Sequence, residues 1–448
     1  METGCAQIGS PTGGPRDSLP PLLVSANPKL LTTNFKSNKI TLYFDEYIDV
    51  QEVQTNLLVS PFPKINPTVE FKLKTVTVKL KDTLLPNTTY AINFGNAIRD
   101  NNEGNPFKNF TYVFSTGNTI DSLEAGGKVI IAETGKKDST IIALLYRNVD
   151  DSVVQKRKPD YIAKLDSSGN FTFKNLSAGK YKIYALLDGD GGKTYNAKTE
   201  LFAFANSEIT VSDSTAPVIL YAYAEEKDIK KSGSLPAIGG KATSAADKRL
   251  RYTTTLSNNE QDLLTDMVIS INKPLKKFEP QQIILTDTNY NKIAGSVVSL
   301  DSTQKNIHIK FKWKEDTQYR LLLNKEAISD STGLELTRSD TIRFISKKES
   351  AYGSLVLRFS NLAGVKNPVL QFIKDDVIYK SFPITTPTWT DKLFVPGEYE
   401  LRILFDENNN GIWDPGNYSK KIQPEKAITL DSRLNIKASW DNERDIKL

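Results

Sequence analysis

One cysteine and one histidine stand among the 448 residues. A lone cysteine excludes any disulfide within the chain. Zinc sites built from Cys and His need about three or four such ligands, so one of each excludes them. A Ser-His-Asp triad would have to be built on His308. That residue lies in NIHIKFKW between Ile307 and Ile309, and the alternation puts it with Lys310 and Lys312 on the solvent side of a strand. Charge of one sign is also lacking. The 58 basic and 53 acidic residues leave +5 and are interspersed, with no basic run or arm, which excludes a nucleic-acid footprint. No apolar run reaches the roughly 18–20 residues of a membrane-spanning helix. Long helical periodicity is nearly absent.

What is present is alternation. In KITLYF, Ile40, Leu42 and Phe44 share one face. In TVTVKL, Val76, Val78 and Leu80 do so, and in YELRILF, Tyr399, Leu401, Ile403 and Phe405. Such runs read as half-buried strands. They recur at short spacing between Asn, Asp, Gly and Pro clusters such as DNNEGNP and DSTG. The pattern predicts an all-β chain of sandwich domains.

The sequence also repeats itself. GKYKIYALLD (179–188) matches GEYELRILFD (397–406) at an offset of 397 − 179 = 218, which relates Tyr181 to Tyr399 and Asp188 to Asp406. A weaker repeat relates NTTYAINFGNAIRD to DTQYRLLLNKEAISD, with Tyr90 matching Tyr319 at 229 and Asp100 matching Asp330 at 230. Together they predict a string of four β-sandwiches in the order A-B-A′-B′. The expected boundaries are a flexible tether over 1–19, domain A over 20–117, domain B over 127–223, a charged, small-residue linker over 224–249, domain A′ over 250–347 and domain B′ over 351–448.

Domain A resembles the bacterial Ig-like domain of the S-layer type (the SbsA Ig-like family). The resemblance rests on LPPLLVSANP, ITLYFDEYID, LLPNTTYAINFGNAIRDNNEGNP and the closing YVFSTG, in that order. Domain A′ is a divergent copy in which INKPLK stands where FDEYID stood. Domain B resembles the transthyretin-like, carboxypeptidase-regulatory sandwich through SSGNFTFKNLSAGKYKIYALLDGDG, and B′ keeps VPGEYELRILFDENNNG. The whole chain is similar to Ig-like-domain lipoproteins of Bacteroidetes-type envelopes. In that family the sandwiches are non-catalytic spacers or binding modules, so the resemblance implies a fold and an address rather than an activity.

The address has its own residue. Thr3-Gly4-Cys5 has the small-small-Cys pattern found before a lipid-modified cysteine, and a Gly/Ser/Pro-rich stretch follows as a spacer would. The apolar segment that should precede it is missing, as expected if the gene start is placed too late or an engineered start replaced the signal. Cys5 is therefore the expected lipidation site and the chain's one link to a membrane; the alternative is an ordinary cysteine in a tail.

DENNNGIWDPGN (406–417) is the sharpest local motif. Asp406, Asn408, Asn410, the Ile412 carbonyl and Asp414 fall at positions 1, 3, 5, 7 and 9 of an EF-hand-like calcium loop, with Gly411 at the sharp bend. Position 12 is Asn417 rather than Glu, and no flanking helices are predicted, so any Ca²⁺ site would be weak. The competing reading is a hairpin tip of Asx-turns. No other cofactor is expected. FDEYID places Asp45, Glu46 and Asp49 near a strand end. Paired carboxylates can do acid/base work, but at a sandwich rim they read better as a partner contact. Trp413, in the loop motif, is a second candidate contact, through stacking on a sugar or anchoring a protein.

The expected role is a non-catalytic outer-membrane lipoprotein that binds or scaffolds an envelope protein, on either face of that membrane. A carbohydrate-binding or adhesion protein at the cell surface is the alternative.

Overall fold

A computed structural model describes residues 17–147, 150–226, 249–362 and 364–447. Cys5 and most of the linker expected over 224–249 lie outside them. The chain divides into two compact units: Met1–Asp228 with Ile412–Thr429, and Ile229–Gly411 with Leu430–Leu448. The fold is all-β, a chain of β-sandwich domains.

In the first unit, domain A runs through β1 (Leu23–Asn27), β2 (Lys39–Phe44), β3 (Ile48–Val50), β4 (Leu58–Ser60), β5 (Thr68–Lys72), β6 (Thr75–Lys79), β7 (Thr89–Asn93), β8 (Ile98–Asp100) and β9 (Thr111–Ser115). One sheet has the order β1-β2-β6-β5 and faces β4-β7-β9, while β3 pairs with β8. The alternating residues Ile40, Leu42, Phe44, Val76 and Val78 are all buried against Ile92, Tyr112 and Phe114.

Domain B follows with β10 (Leu123–Ile131), β11 (Ile142–Arg147), β12 (Tyr161–Lys164), β13 (Asn170–Leu176), β14 (Gly179–Leu186), β15 (Phe202–Phe204), β16 (Ile209–Val211) and β17 (Val218–Ala222). Its sheets are β13-β10-β17 and β12-β11-β14-β15, with β16 also on β14. β14 is buried on both faces, unlike the half-buried strand that alternation predicts. Tyr181 and Ile183 point into the sandwich. Tyr184 and Leu186, on the other face, are covered by a second cluster that includes Tyr146, Val154, Tyr195 and Phe202.

That second cluster is completed by residues 412–429, an arm remote in sequence but part of the first unit. Tyr418 is buried with its ring 5.0 Å from Phe202, 5.3 Å from Phe204 and edge-on to Tyr184 at 6.0 Å. Its hydroxyl donates to the Asp151 carbonyl, and its N–H to Glu225 Oε1 at 2.9 Å. The arm ends in β18 (Lys426–Thr429), where the Ala427 N–H donates to the Ala132 carbonyl at 2.8 Å. Two glycines permit the approach. A Cβ on Gly416 would lie 2.6 Å from Tyr223 Cζ, and one on Gly135 2.7 Å from the Ala427 carbonyl oxygen.

The second unit repeats both topologies. Domain A′ contains β19 (Tyr252–Thr254), β20 (Glu260–Gln261), β21 (Met267–Ile271), β22 (Leu275–Phe278), β23 (Ile283–Thr286), β24 (Val297–Leu300), β25 (Asn306–Lys310), β26 (Gln318–Leu323), β27 (Ile328–Asp330) and β28 (Asp340–Ser346). Its orders are β19-β21-β25-β24 and β20-β28-β26-β23, with β22 on β27. Domain B′ contains β29 (Gly353–Ser360), β30 (Pro368–Lys374), β31 (Val377–Pro383), β32 (Thr388–Phe394), β33 (Gly397–Phe405), β34 (Leu434–Ile436) and β35 (Asp441–Lys447). Here β32-β29-β35 faces β31-β30-β33, and β34 pairs with β33. β10 pairs with β17 in parallel, and β29 with β35 likewise.

The repeat reaches single hydrogen bonds. The Tyr181 hydroxyl donates to the Ser177 carbonyl and that of Tyr399 to the Val395 carbonyl, both at 2.9 Å. The Tyr90 and Tyr319 hydroxyls accept the N–H of Leu85 (2.7 Å) and Lys314 (3.2 Å), five residues upstream in each case. These are corner-type contacts that tie a strand start to the loop before it.

Candidate functional site

Three proline-bearing stretches of the first unit, PFPKINP (61–67), LKDTLLP (80–86) and RKPD (157–160), meet where domains A and B adjoin. They wall a cavity of about 770 Å³, within the range of small-molecule and peptide-anchor sites. Five prolines line it: Pro61, Pro63, Pro67, Pro86 and Pro159. Proline fixes φ, so these walls lose little entropy when a ligand arrives. Beneath the cavity lies domain A's core, where Tyr90 and Phe114, both buried, stack at 5.2 Å and 9°.

Hydrogen bonds hold the walls. The Lys64 N–H donates to Asp82 Oδ2 at 2.7 Å, the Phe62 N–H to the Asp160 carbonyl at 2.6 Å, and the Thr116 hydroxyl to the Leu85 carbonyl at 2.7 Å. Asp160 is held in turn by both Arg157 guanidinium nitrogens, at 2.9 and 3.0 Å, and by the Arg147 N–H. Both carboxylates on the lining are thus committed to structure. The ammonium groups of Lys64, Lys81 and Lys158 stand at the exposed rim, with Lys158 Nζ 5.7 Å from the Phe62 ring. Burial pushes the Tyr90 phenol up, so it stays neutral at physiological pH. The site offers apolar surface and a cationic rim.

A second cleft of about 570 Å³ lies between β4, β7 and β9 of domain A and β12 and β13 of domain B. It is polar, lined by the carboxamides of Asn56, Asn93, Asn96, Asn109 and Asn175.

The residues expected from the sequence fall elsewhere. Asp45 Oδ1 accepts the Leu22 N–H at 2.8 Å, and Asp49 Oδ1 that of Val50 at 2.8 Å. Burial, then the charges of Asp100, Asp45, Asp17 and Glu103, raise the pKa of Glu46. His308 is half-buried on the outer face of β25, its neighbours Ile307 and Ile309 fully buried beneath.

Trp413 is half-buried against the aromatic cluster of domain B, and its indole N–H donates to the Glu425 carbonyl at 2.7 Å. Asp406 is buried, and its carboxylate accepts the N–H of Asn410 (3.1 Å) and of Gly411 (2.6 Å), while Asn408 Oδ1 accepts the N–H of Asn410 at 3.1 Å. The matching Asp188 of domain B accepts the Lys193 N–H at 2.9 Å and also pairs with the Lys193 ammonium. Of the five calcium candidates, Asp406, Asn408 and Asn410 belong to the second unit, and Ile412 and Asp414 to the first. Among the described residues no group of three or more His, Cys, Asp or Glu could hold a metal ion.

The cavity was missed at the sequence level. Its only signal is proline spacing on both sides of a strand pair, which reads equally as loop punctuation.

Comparison with known proteins identifies one domain. Residues 17–116 match the bacterial Ig-like domain family. No curated protein sequence matches the chain. Among solved structures, it is similar to the major pilin subunit BcpA of Bacillus cereus, at 9% identity, 72% of this chain, 99% of that one and a TM-score of 0.18. It is also similar to the N-terminal part of the bacterial S-layer protein SbsC, at 18% identity, 46% of this chain, 44% of that one and 0.17. The Bacillus anthracis TIE protein matches at 11% identity over 98% of this chain and 76% of its own, with 0.17. Scores this low carry no argument about what this chain does.

Proposed function

We propose that this protein, whose first domain is a bacterial Ig-like domain, is a non-catalytic cell-surface module that binds or scaffolds another envelope protein. The observation that carries the reading is the preformed junction cavity. Rigid proline walls, the exposed apolar side chains of Ile65 and Leu85 and a cationic rim suit recognition, and both lining carboxylates are occupied by structural bonds. The finer reading is an outer-membrane lipoprotein anchored through Cys5, with Asp45, Glu46 and Trp413 as further partner contacts. The sequence pattern at Thr3-Gly4-Cys5 supports the anchor.

The test is made in the native bacterium. Metabolic labelling with an alkyne fatty acid should tag the wild-type protein and leave Cys5→Ser untagged. Photo-crosslinking from the surface of domain A should then trap a defined envelope protein. Tagging of both forms, or none, ends the lipoprotein reading; the absence of any reproducible cross-linked partner ends the binding reading.

One observation favours a second reading. The carboxamide-lined cleft presents donors and acceptors of the kind that recognise sugar hydroxyls, which supports a carbohydrate-binding or adhesion role, and a glycan array decides it. A weak Ca²⁺ site at Asp406–Asp414 is proposed on loop spacing alone. Calorimetry with added Ca²⁺ on the full chain should show heat that Asp406→Asn abolishes.

A further inference from the structure

The carboxamide-lined cleft can be read against the matching sheet of domain A′. Its floor is the outer face of β4, β7 and β9. There Asn93 pairs with Leu58 and Thr111, and Ala91 pairs with Ser60 and Val113. The residues between them, Val59, Ile92, Tyr112 and Phe114, belong to the core beneath. In domain A′, Tyr319 pairs with Phe344 as Tyr90 pairs with Phe114. Arg320 and Arg343 therefore stand where domain A has Ala91 and Val113. The Arg320 guanidinium lies over the Tyr290 ring, 4.4 Å from its centre. Two short side chains in place of two guanidiniums leave the floor of domain A open.

The lining is chemically one-sided. None of the residues around the cleft is acidic, and two are lysines. Lys164 Nζ donates to the Thr55 carbonyl at 2.6 Å, which holds the ammonium at the wall and leaves N–H groups for a ligand. Partial burial lowers its pKa from the ordinary lysine value. Lys174 reaches Glu124 only at 3.7 Å, with both side chains exposed, so that pair binds it weakly. Among the described residues, the Asn96 and Asn109 carboxamides have no hydrogen-bond partner. Asn56 and Asn175 donate to the Glu52 and Asp121 carbonyls, which leaves their side-chain oxygens as acceptors. The larger apolar groups are covered. Tyr161, Ile162 and Phe173 are buried, and Leu58 and Val113 half-buried. A peptide side chain finds no exposed apolar group here to anchor against.

We infer that this cleft binds an acidic saccharide, one that carries a carboxylate among its hydroxyls. Carboxamides donate and accept at once, which suits neighbouring hydroxyls, and the only charges on the lining are the two ammonium groups.

The inference rests on the carbohydrate reading but fails separately from it. The probes are uronate oligosaccharides of several stereochemistries, arrayed beside their methyl esters and tested with the full chain. The esters keep every hydroxyl and lose the charge. At least one acid should bind with a Kd below about 1 mM, and its ester about tenfold more weakly. Lys164→Gln should weaken the acid about tenfold and leave the ester unchanged, whereas a merely structural lysine would move both. Lys174→Gln, at an exposed position, repeats the charge test without touching the Thr55 bond. Ala91→Met, which puts an uncharged chain on the floor, should weaken acid and ester alike by about tenfold. Equal binding of acids and esters overturns the inference and leaves a neutral-sugar site. Binding that none of the three variants changes places the sugar elsewhere and overturns it too. So does tetraglutamate binding with these same dependences while the uronates fail, which would make the cleft an acidic-peptide site. No binding of any sugar ends the carbohydrate reading with it.

Discussion

Domains A and A′ share a strand order and differ at two places. At the end of β8, Asp100 is buried and accepts the N–H groups of Glu103, Gly104 and Asn105 at 2.6–2.9 Å. Asp330, its match, accepts those of Thr332 and Leu334 at 2.8 and 3.0 Å. Facing each is the loop that reads FDEYID in one copy and INKPLK in the other. Domain A′ puts Lys273 there, 3.4 Å from Asp330, whereas domain A puts Glu46 in the field of Asp100. Beyond the end of β6, domain A has Leu84 and covers Phe114 with the Phe35 ring at 4.0 Å, where domain A′ packs the Trp313 indole 5.6 Å from Phe344. Both copies fill their cores by different side chains. Domain A alone keeps a like-charge rim, and such unfavourable features persist where function requires them.

The comparison can be broken at each point. Trp313→Leu, which would leave a cavity beside Tyr319 and Phe344 in domain A′, should cost about 2–3 kcal/mol in urea denaturation of that domain. A loss below about 0.5 kcal/mol would mean that the indole does not fill its site. The buried aspartates should behave alike: Asp100→Ala and Asp330→Ala should each cost about 1–3 kcal/mol, because buried amides lose their acceptor. Unequal losses would show that only one loop depends on its carboxylate.

The same pair sets an acid limit. The Thr332 hydroxyl and then backbone amides hold Asp330 down to about 2, and backbone amides lower Asp100 against the opposing effect of burial. A depressed carboxyl contributes stability above its unfolded pKa and loses it below. Both domains should therefore weaken as the pH falls from about 4 toward 2.

Smaller effects sharpen the contrast. Lys273→Glu, which copies domain A's charge, should destabilise domain A′ by about 1 kcal/mol and by less in high salt. Glu46→Gln should raise the melting temperature of domain A slightly at pH 7. The raised pKa of Glu46 means that the folded chain holds its proton more tightly, so the ionised form is the destabilising one. The advantage of the variant should shrink as the pH falls through that pKa, and a difference independent of pH would remove Glu46's charge from the account.

Much of this was legible in the residues and some was not. Period-2 runs such as KITLYF and TVTVKL marked strands because one buried face is enough to impose alternation. The 218-residue offset between Tyr181 and Tyr399 survived because a corner tyrosine must reach one particular carbonyl. The burial of β14 on both faces was hidden. Its second cover comes partly from Tyr418, in the polar run GNYSKKIQPEK, where one aromatic among lysines carries no periodicity. The cavity was hidden for a different reason. It is walled by three stretches, two from domain A and one from domain B, that only the fold brings together. The acidic run FDEYID stands out in the sequence, but the contrast it makes with Lys273 depends on aligning the two copies.

The arm imposes an order of events on the living chain. Tyr184 leaves the ribosome 234 residues before Tyr418, the residue that covers it. At about 5–20 residues per second that interval lasts on the order of 10–50 s. During it, the first unit carries an uncovered aromatic face built from Tyr184, Phe202 and Phe204. A chain cut short anywhere before residue 412 keeps that face for good, so quality control could recognise a truncated copy by a surface that the finished protein never shows.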